Sequence, residues 1–451
     1  MKKSVITLLA TLTVCVSSTV PLAHAKIGLG ASTANYLGQG GENRLENYSS
    51  IDLTADLSSR GESLDTRAVV QSLISLNDSD YRFIEMPELW ISNSRKASPN
   101  FRVTFGRKLE EWSKLDSEWG LGIWQPRFRW DYLRPQSVGL TGLHTGFRVK
   151  NVQTALMVSP LFIPDRGAPL DFAGGRIHSM SPWTLNPPYL ANVFGRETEI
   201  RYSAEIPKTQ DVIQQWNVSG KVRIGASDGV WVSSAYAYKP MNQLLMSYKG
   251  LLRNLPNDSY VEATLYPRVA YHHLASTDVG FSSSRWETWI SMLADMPNDT
   301  PVTGNLITSQ VVSDAYVLSP SMSYWFSGRK TKNGGEMTFS YIKKFGKNPA
   351  DVGEHEDGSS QFDSRYPFED ALVLSVKSPQ ISKITADLKI LFDAKNPGTI
   401  ISTLVQYEPA KSWSLYLASD VLTSWTEEGH NDFIQHYRAN DRFMGGVTYV
   451  F

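Results

Sequence analysis

The chain has 451 residues, of which 41% are hydrophobic and 20% charged, with a formal charge of −1. That near-neutral balance, with no basic tract, excludes a dedicated nucleic-acid binder, whose footprint is clustered Lys and Arg. A single cysteine, Cys15, excludes an internal disulfide framework and a multi-thiolate metal site.

In chain order, Lys2 and Lys3 precede an apolar run from about Val5 to Val20, and Ala23-His24-Ala25 follows. A positive start, an apolar middle and an A-x-A site describe a secretory signal, so residues 1–25 are expected to be removed. Cleavage takes the charge to −3 (−1 − 2) and removes Cys15, the last source of thiol chemistry. A lipidated Cys15 is opposed by Val14, which is too bulky for that processing site. Beyond residue 25 no apolar run approaches the ~20 residues of a membrane helix. Residues 26–48, Gly-rich and weakly patterned, read either as a first strand or as a small plug.

From about Ile51 the chain falls into segments of period-two patterning separated by Gly, Pro, Asn, Asp and Ser clusters. Met337, Phe339 and Tyr341 alternate with Glu336, Thr338 and Ser340. Leu388, Ile390 and Phe392 oppose Asp387, Lys389 and Asp393; Trp413, Leu415 and Leu417 oppose Ser412, Ser414 and Tyr416. Side chains of a strand alternate faces, so each segment has one apolar face. A short helix is expected near Leu109 to Trp119. The links alternate between long and short, the long ones being 160–195, 296–311, 348–370 and 423–440. Lys395-Asn396-Pro397-Gly398 is the one tight link on the long side. Aromatics sit near strand ends, among them Tyr236, Tyr238, Trp286, Tyr324, Trp413 and Tyr449. The last stretch, Asp441 to Phe451, places Phe443, Val447, Tyr449 and Phe451 on one face.

A signal, sorted loops, aromatic strand ends and a final strand ending in Phe together resemble the porin-like outer-membrane β-barrels of Gram-negative bacteria. The resemblance is architectural and covers the whole mature chain, residues 26–451; no motif narrows it to a single family. It implies an all-β fold, a transmembrane antiparallel up-and-down β-barrel of 16–20 strands centred on 18, closed by the C-terminal strand. Phe443, Val447, Tyr449 and Phe451 would then be the assembly signal. The partners implied are outer-membrane lipids and, during biogenesis, periplasmic chaperones and the barrel-assembly machinery; a homo-oligomer stays open.

On a barrel strand a charge facing lipid costs ~2–4 kcal/mol at the midplane, so charges that alternate with apolar residues should point inward. Arg127, Arg129 and Asp131 alternate with Phe128, Trp130 and Tyr132. Arg102 opposes Phe101 and Val103, Glu199 and Arg201 oppose Ile200 and Tyr202, and Lys221 and Arg223 oppose Val222 and Ile224. These eight residues, Arg102, Arg127, Arg129, Asp131, Glu199, Arg201, Lys221 and Arg223, are the expected pore lining, with a partly basic wall. The Pro- and aromatic-rich stretch 160–195, carrying Asp165, Arg166, Asp171, Arg176, Trp183 and Tyr189, is the expected constriction loop.

The function expected is passive diffusion of small hydrophilic solutes or ions, with no cofactor. The alternatives are a filled barrel acting as a surface adhesin, receptor or structural protein, an apolar-ligand transporter, and an outer-membrane enzyme. No G-x-S-x-G, H-E-x-x-H or P-loop pattern is present, so no catalytic residue is assigned. The acidic link holding Asp351, Glu354, Glu356 and Asp357 fits no Ca²⁺ loop spacing, and Tyr271-His272-His273 puts its two histidines on opposite faces, so no metal site is assigned either.

Overall fold

The computed structural model describes residues 24–38, 45–184, 186–255, 258–299, 307–329, 331, 334–346, 365–426 and 432–451. Eighteen strands form one antiparallel sheet. The first seven are β1 (His24–Tyr36), β2 (Asn47–Arg60), β3 (Leu64–Ser75), β4 (Arg82–Asn93), β5 (Phe101–Lys108), β6 (Leu140–Val149) and β7 (Val152–Ser159). The next five are β8 (Asn217–Gly225), β9 (Gly229–Pro240), β10 (Tyr271–Ser282), β11 (Trp286–Asn298) and β12 (Ala315–Trp325). The last six are β13 (Glu336–Phe345), β14 (Asp370–Lys377), β15 (Ile384–Asp393), β16 (Gly398–Ala410), β17 (Trp413–Ser424) and β18 (Arg442–Val450). Each pairs with its sequence neighbour, and β18 pairs with β1 from Val450↔Gly28 to Arg442↔Tyr36. The sheet is therefore a closed barrel with no free edge, the form a strand protein must take to cross lipid.

Residues 26–36 belong to the barrel strand β1. The links at the Phe451 end are short, such as 61–63, 150–151, 226–228, 283–285 and 411–412; most of those at the other end are long. By the usual sorting, the Phe451 end is periplasmic and the long-loop end is outer. The expected signal peptide lies almost wholly outside the described residues, as do 300–306, most of 348–370 and 427–431.

Alternation decides the two surfaces. On β12, Tyr316, Leu318 and Met322 are exposed, while Ala315, Val317, Ser319, Ser321 and Ser323 are buried. On β9, Val230, Val232, Tyr236 and Tyr238 face out, while Trp231, Ser233, Ala235, Ala237 and Lys239 face in. Apolar side chains as open as Phe105 (67%) and Leu417 (70%) would be costly in water; here they form the lipid face. Aromatic pairs mark both of its borders: Tyr238–Tyr271 at the outer end, and Phe281–Trp286 and Trp413–Tyr449 at the periplasmic end. Tyr271 and Phe281 stand ten residues apart on one tilted strand, which puts the two belts roughly 25 Å apart. This is the surface of an integral outer-membrane protein of a Gram-negative cell.

Outside the barrel wall, three outer loops build a second sheet. Its strands are Leu190–Val193, Arg196–Ala204, Asp258–Arg268, Leu245–Leu255 and Ile307–Ser309, in that spatial order.

Candidate functional site

The lumen is organised by the outer loop 109–139, which joins β5 to β6 and crosses the barrel to the opposite wall. Its anchor is the helix Lys114–Trp119, ended by Gly120 in the left-handed region at φ 60°. Asp116 fixes the turn that follows, its two carboxylate oxygens accepting from the backbone N–H of Ile123 (3.0 Å) and Trp124 (3.2 Å). Gly120 and Gly122 have positive φ and lie against the Arg127 guanidinium and stem, so a side chain at either would displace Arg127.

Contacts to the far wall are dense. The Lys114 backbone N–H donates to Asp278 of β10 (3.2 Å). Its ammonium pairs with Glu287 of β11 (3.2 Å) and lies 4.4 Å from the Trp289 ring centre and 5.3 Å from that of Trp231. Trp231 itself fits over Gly280, where a Cβ would come within 2.4 Å of the ring. Trp119 donates its indole N–H to Ser319 of β12 (3.1 Å) and Ser340 of β13 (2.9 Å). Lys221 of β8 donates to the Glu111 carbonyl. Lys239 of β9, 1% exposed, donates to the Ile123 carbonyl (3.2 Å) and to Asn242 (2.7 Å), and Asn242 donates to the Gly122 carbonyl (2.7 Å). Trp112, Leu115, Trp119, Leu121, Ile123 and Trp124 then share one buried cluster with residues of the far wall.

The other half of the loop turns back toward β3 and β4. Phe128 and Trp130 pack with Leu73, Tyr81 and Val138, with Phe83 at 4.6 Å from the Phe128 ring. Asp131 accepts from Arg442 of the closing strand (2.6 Å), and the buried Asp420 of β17 accepts from both Arg442 (2.7 Å) and Arg134 (2.5 Å and 2.8 Å). The closing strand is thereby tied to the loop.

These positions correct two expectations. Residues 127–132 are not a wall strand: only Arg127–Arg129 is extended, and it pairs with Gln136–Ser137 inside the lumen loop. The loop crossing the lumen is 109–139, not 160–195. The latter splits in two. Its first half lies on the crossing loop: Arg166–Gly167 runs parallel to Phe128–Arg129, Arg166 pairs with Glu85 (2.5 Å), and Asp165 pairs with Arg129 (2.9 Å). Burial raises the Asp165 carboxyl above its ordinary range. Trp183 is 1% exposed, stacks with Tyr132 and meets Tyr437 in a tilted ring contact at 5.4 Å. Asp171, Arg176 and Tyr189 themselves are exposed, although Ile177, Ser179, Ser181 and Trp183 between them are buried.

The eight expected lining residues therefore fall in three places. Arg102, Lys221 and Arg223 are on the wall facing in, Arg102 paired with Asp65 (3.2 Å) and Arg223 lying 4.4 Å over the Trp231 ring. Arg127, Arg129 and Asp131 are in the crossing loop. Glu199 and Arg201 are corrected: they pair with each other (3.1 Å) in the outer sheet, away from the barrel wall. The alternation there is real, but the strand belongs to another sheet.

The residues missed are on the wall the loop leaves open. A cavity of about 430 Å³ lies between Glu118, Leu133 and Arg134 of the loop and strands β13 to β16. Its wall carries Glu336, Thr338, Ser375, Lys377, Asp387, Lys389 and Ser402. Glu336, Lys377 and Asp387 form one rung across adjacent strands, and Lys389 stands one rung further out between Ser375 and Ser402. Burial, which disfavours the charged form, raises the Glu118 carboxyl above its ordinary range against the opposing pull of Lys389. The inward phase of Asp387 and Lys389 is plain in the sequence; which wall the loop leaves bare is not. A larger cavity of about 600 Å³, with Arg223, Asp228, Ser284 and Arg329, opens at the periplasmic turns.

No acid–base–nucleophile set converges in the lumen among the described residues. His272 Nδ1 meets Asp295 (2.7 Å), but its other nitrogen faces Lys239 Nζ at 3.5 Å rather than a hydroxyl. No group of three or more His, Cys, Asp or Glu side chains among the described residues is arranged to hold a metal ion.

No family pattern matches the chain, and no curated protein matches its sequence. Solved structures similar to it include Pseudomonas aeruginosa OccK11 (OpdR), 11% identical over 95% of each chain with a TM-score of 0.46. Acinetobacter baumannii OccAB4 is 10% identical over 95% of this chain and 98% of that one, with a TM-score of 0.45. Salmonella typhi OmpF, solved with daunomycin, is 10% identical over 95% and 97%, with a TM-score of 0.41. At these values the likeness is one of architecture, and what this barrel does must be read from its own residues.

Proposed function

We propose that the barrel is a passive outer-membrane channel for small hydrophilic solutes, narrowed by the loop 109–139. The observation that carries this reading is the gap the loop leaves: it is pinned to β8–β13, yet about 430 Å³ opposite β13–β16 is lined by charged and hydroxyl side chains. Polar, water-lined constrictions are how pores set what passes. The partly basic wall is part of this proposal, and the inward-facing Arg102, Lys221 and Arg223 of β5 and β8 are the residues that support it. Neither a cofactor nor a catalytic step is invoked.

Single-channel conductance of the purified protein in a planar bilayer tests it. Stable ohmic steps are the expected result; no steps from protein that still shows heat-modifiable gel mobility would overturn it. That second outcome would favour the rival reading, a filled barrel presenting its outer five-stranded sheet to a surface ligand. The dense packing between the crossing loop and β8–β12 is what speaks for the rival.

A further inference from the structure

Five of the six charges lining the gap beneath the loop differ from the other charges of the lumen in forming no ion pair among the described residues. The sixth, Arg134, is held by Asp420 (2.5 Å and 2.8 Å), and among the described residues the Glu336 carboxylate accepts only from Thr338 (3.4 Å). Arg102, Arg129, Arg134, Lys114 and Arg442 are each in an ion pair. Among the described residues, Glu118, Glu336, Lys377, Asp387 and Lys389 are in none, although all five line one cavity. The register makes this notable. Glu336 faces Lys377 and Lys377 faces Asp387 across adjacent strands, where opposite charges about 5 Å apart ordinarily combine. Asp387 even keeps one buried carboxylate oxygen without a hydrogen bond among the described residues. Lys389 and Lys377 remain solvent-accessible while enclosed by the barrel, so they face water inside the lumen.

Resting on the channel reading, we infer that this gap favours small zwitterions, solutes carrying an ammonium and a carboxylate close together, over neutral or singly charged solutes of the same size. The charges decide between these classes. A simple anion gains at Lys377 and Lys389 and is repelled by Glu118, Glu336 and Asp387 on either side; a simple cation meets the reverse. A neutral polyol finds only Thr338, Ser375 and Ser402, whose hydroxyls water serves equally well. A molecule with both charges can meet Lys389 and an acid on the neighbouring rung at once, because consecutive inward residues of a strand are roughly 7 Å apart and cross-strand neighbours about 5 Å. Complementary charge raises the local concentration of the matching solute in the constriction, and because each contact is single and water-exposed, release stays fast.

Swelling of liposomes containing the purified full-length channel tests this at neutral pH, with glutamine as zwitterion and arabinose as the neutral solute of nearly equal mass. Glutamine should enter roughly tenfold faster than arabinose. Lys389→Gln and Glu118→Gln, each checked by heat-modifiable mobility, should bring the ratio close to one by slowing glutamine entry. Equal rates for glutamine and arabinose in the wild type would overturn the inference and leave the channel standing. Swelling with neither solute would overturn the channel reading and this inference together. The wild-type ratio needs no variant, so a variant that fails to fold cannot rescue the idea.

Discussion

The two walls of the lumen are made of the same residue types and are used in opposite ways. On β8 to β11, Lys221, Lys239, Asp278, Glu287 and Asp295 all face inward, and each is engaged: by the crossing loop, by a neighbouring wall residue, or by Tyr366 and Arg365 from the outer loop 346–369. On β13 to β15, Glu336, Lys377, Asp387 and Lys389 also face inward, and the loop stops short of them. A buried charge must be paired or it costs several kcal/mol, so the first wall's charges follow from the loop lying on them. The second wall's charges form no ion pair among the described residues, and on the channel reading they are left to act on a passing solute. Charge in a lumen therefore says little about selectivity until its pairing is known.

The largest way to break this comparison is to remove the loop's grip. Replacing residues 112–124 by a short Gly-Ser link should raise single-channel conductance several-fold and abolish solute preference. Deleting 165–185, whose Arg166–Gly167 lies against the crossing loop, should raise it less. If the second deletion had the larger effect, the constriction would lie above the loop and not beneath it.

Next in size is the contrast in stability between the walls. Glu287 is 2% exposed and holds Lys114 (3.2 Å), Arg329 (3.3 Å) and Ser282 (3.0 Å). Glu287→Ala leaves two cations without their acid, and breaking a buried pair this way costs roughly 3–5 kcal/mol. Lys389→Gln, on the open wall, should change stability by less than about 0.5 kcal/mol. Urea unfolding in detergent, read by heat-modifiable mobility, compares them directly. Equal losses would mean that Lys389 is as structural as Glu287.

Much of this architecture was legible in the sequence, and the reason is geometric. Facing lipid on one side and the lumen on the other imposes period two along segments such as Met337–Tyr341 or Leu388–Phe392, and that pattern survives without any knowledge of neighbours. The closing strand was legible for the same reason, since Phe443, Val447 and Tyr449 share the lipid face. The site was not. Arg127-Phe128-Arg129-Trp130 alternates as a wall strand would, because a lumen loop also has one face toward a packed cluster and one toward polar partners. Glu199 and Arg201 alternate because they are on a strand, but period two cannot say of which sheet. A better signal lay in Trp112, Trp119 and Trp124, three indoles within thirteen residues around Gly120-Leu121-Gly122. No outer loop in water would spend them on solvent, and their burial requires the lumen.

The smallest effect is also the most selective test of the open wall. Glu118 sits on the loop, half-buried, and its carboxyl is held above the ordinary range by burial. A raised carboxylate pKa means the folded protein takes up this proton more readily than the unfolded chain. Acidification through that pKa therefore stabilises the fold as far as Glu118 is concerned, and a change in conduction there cannot be put down to unfolding at this site. What acid does remove is the negative charge facing Lys389. As the pH falls through the raised Glu118 pKa, the reversal potential under a KCl gradient should move toward chloride. Glu118→Gln should sit at the chloride-shifted value already at pH 7, and the part of the pH response due to this residue should vanish. If the variant kept the full wild-type shift, the titrating group would lie elsewhere on the wall, and the loop would narrow the passage without taking part in its choice of solute.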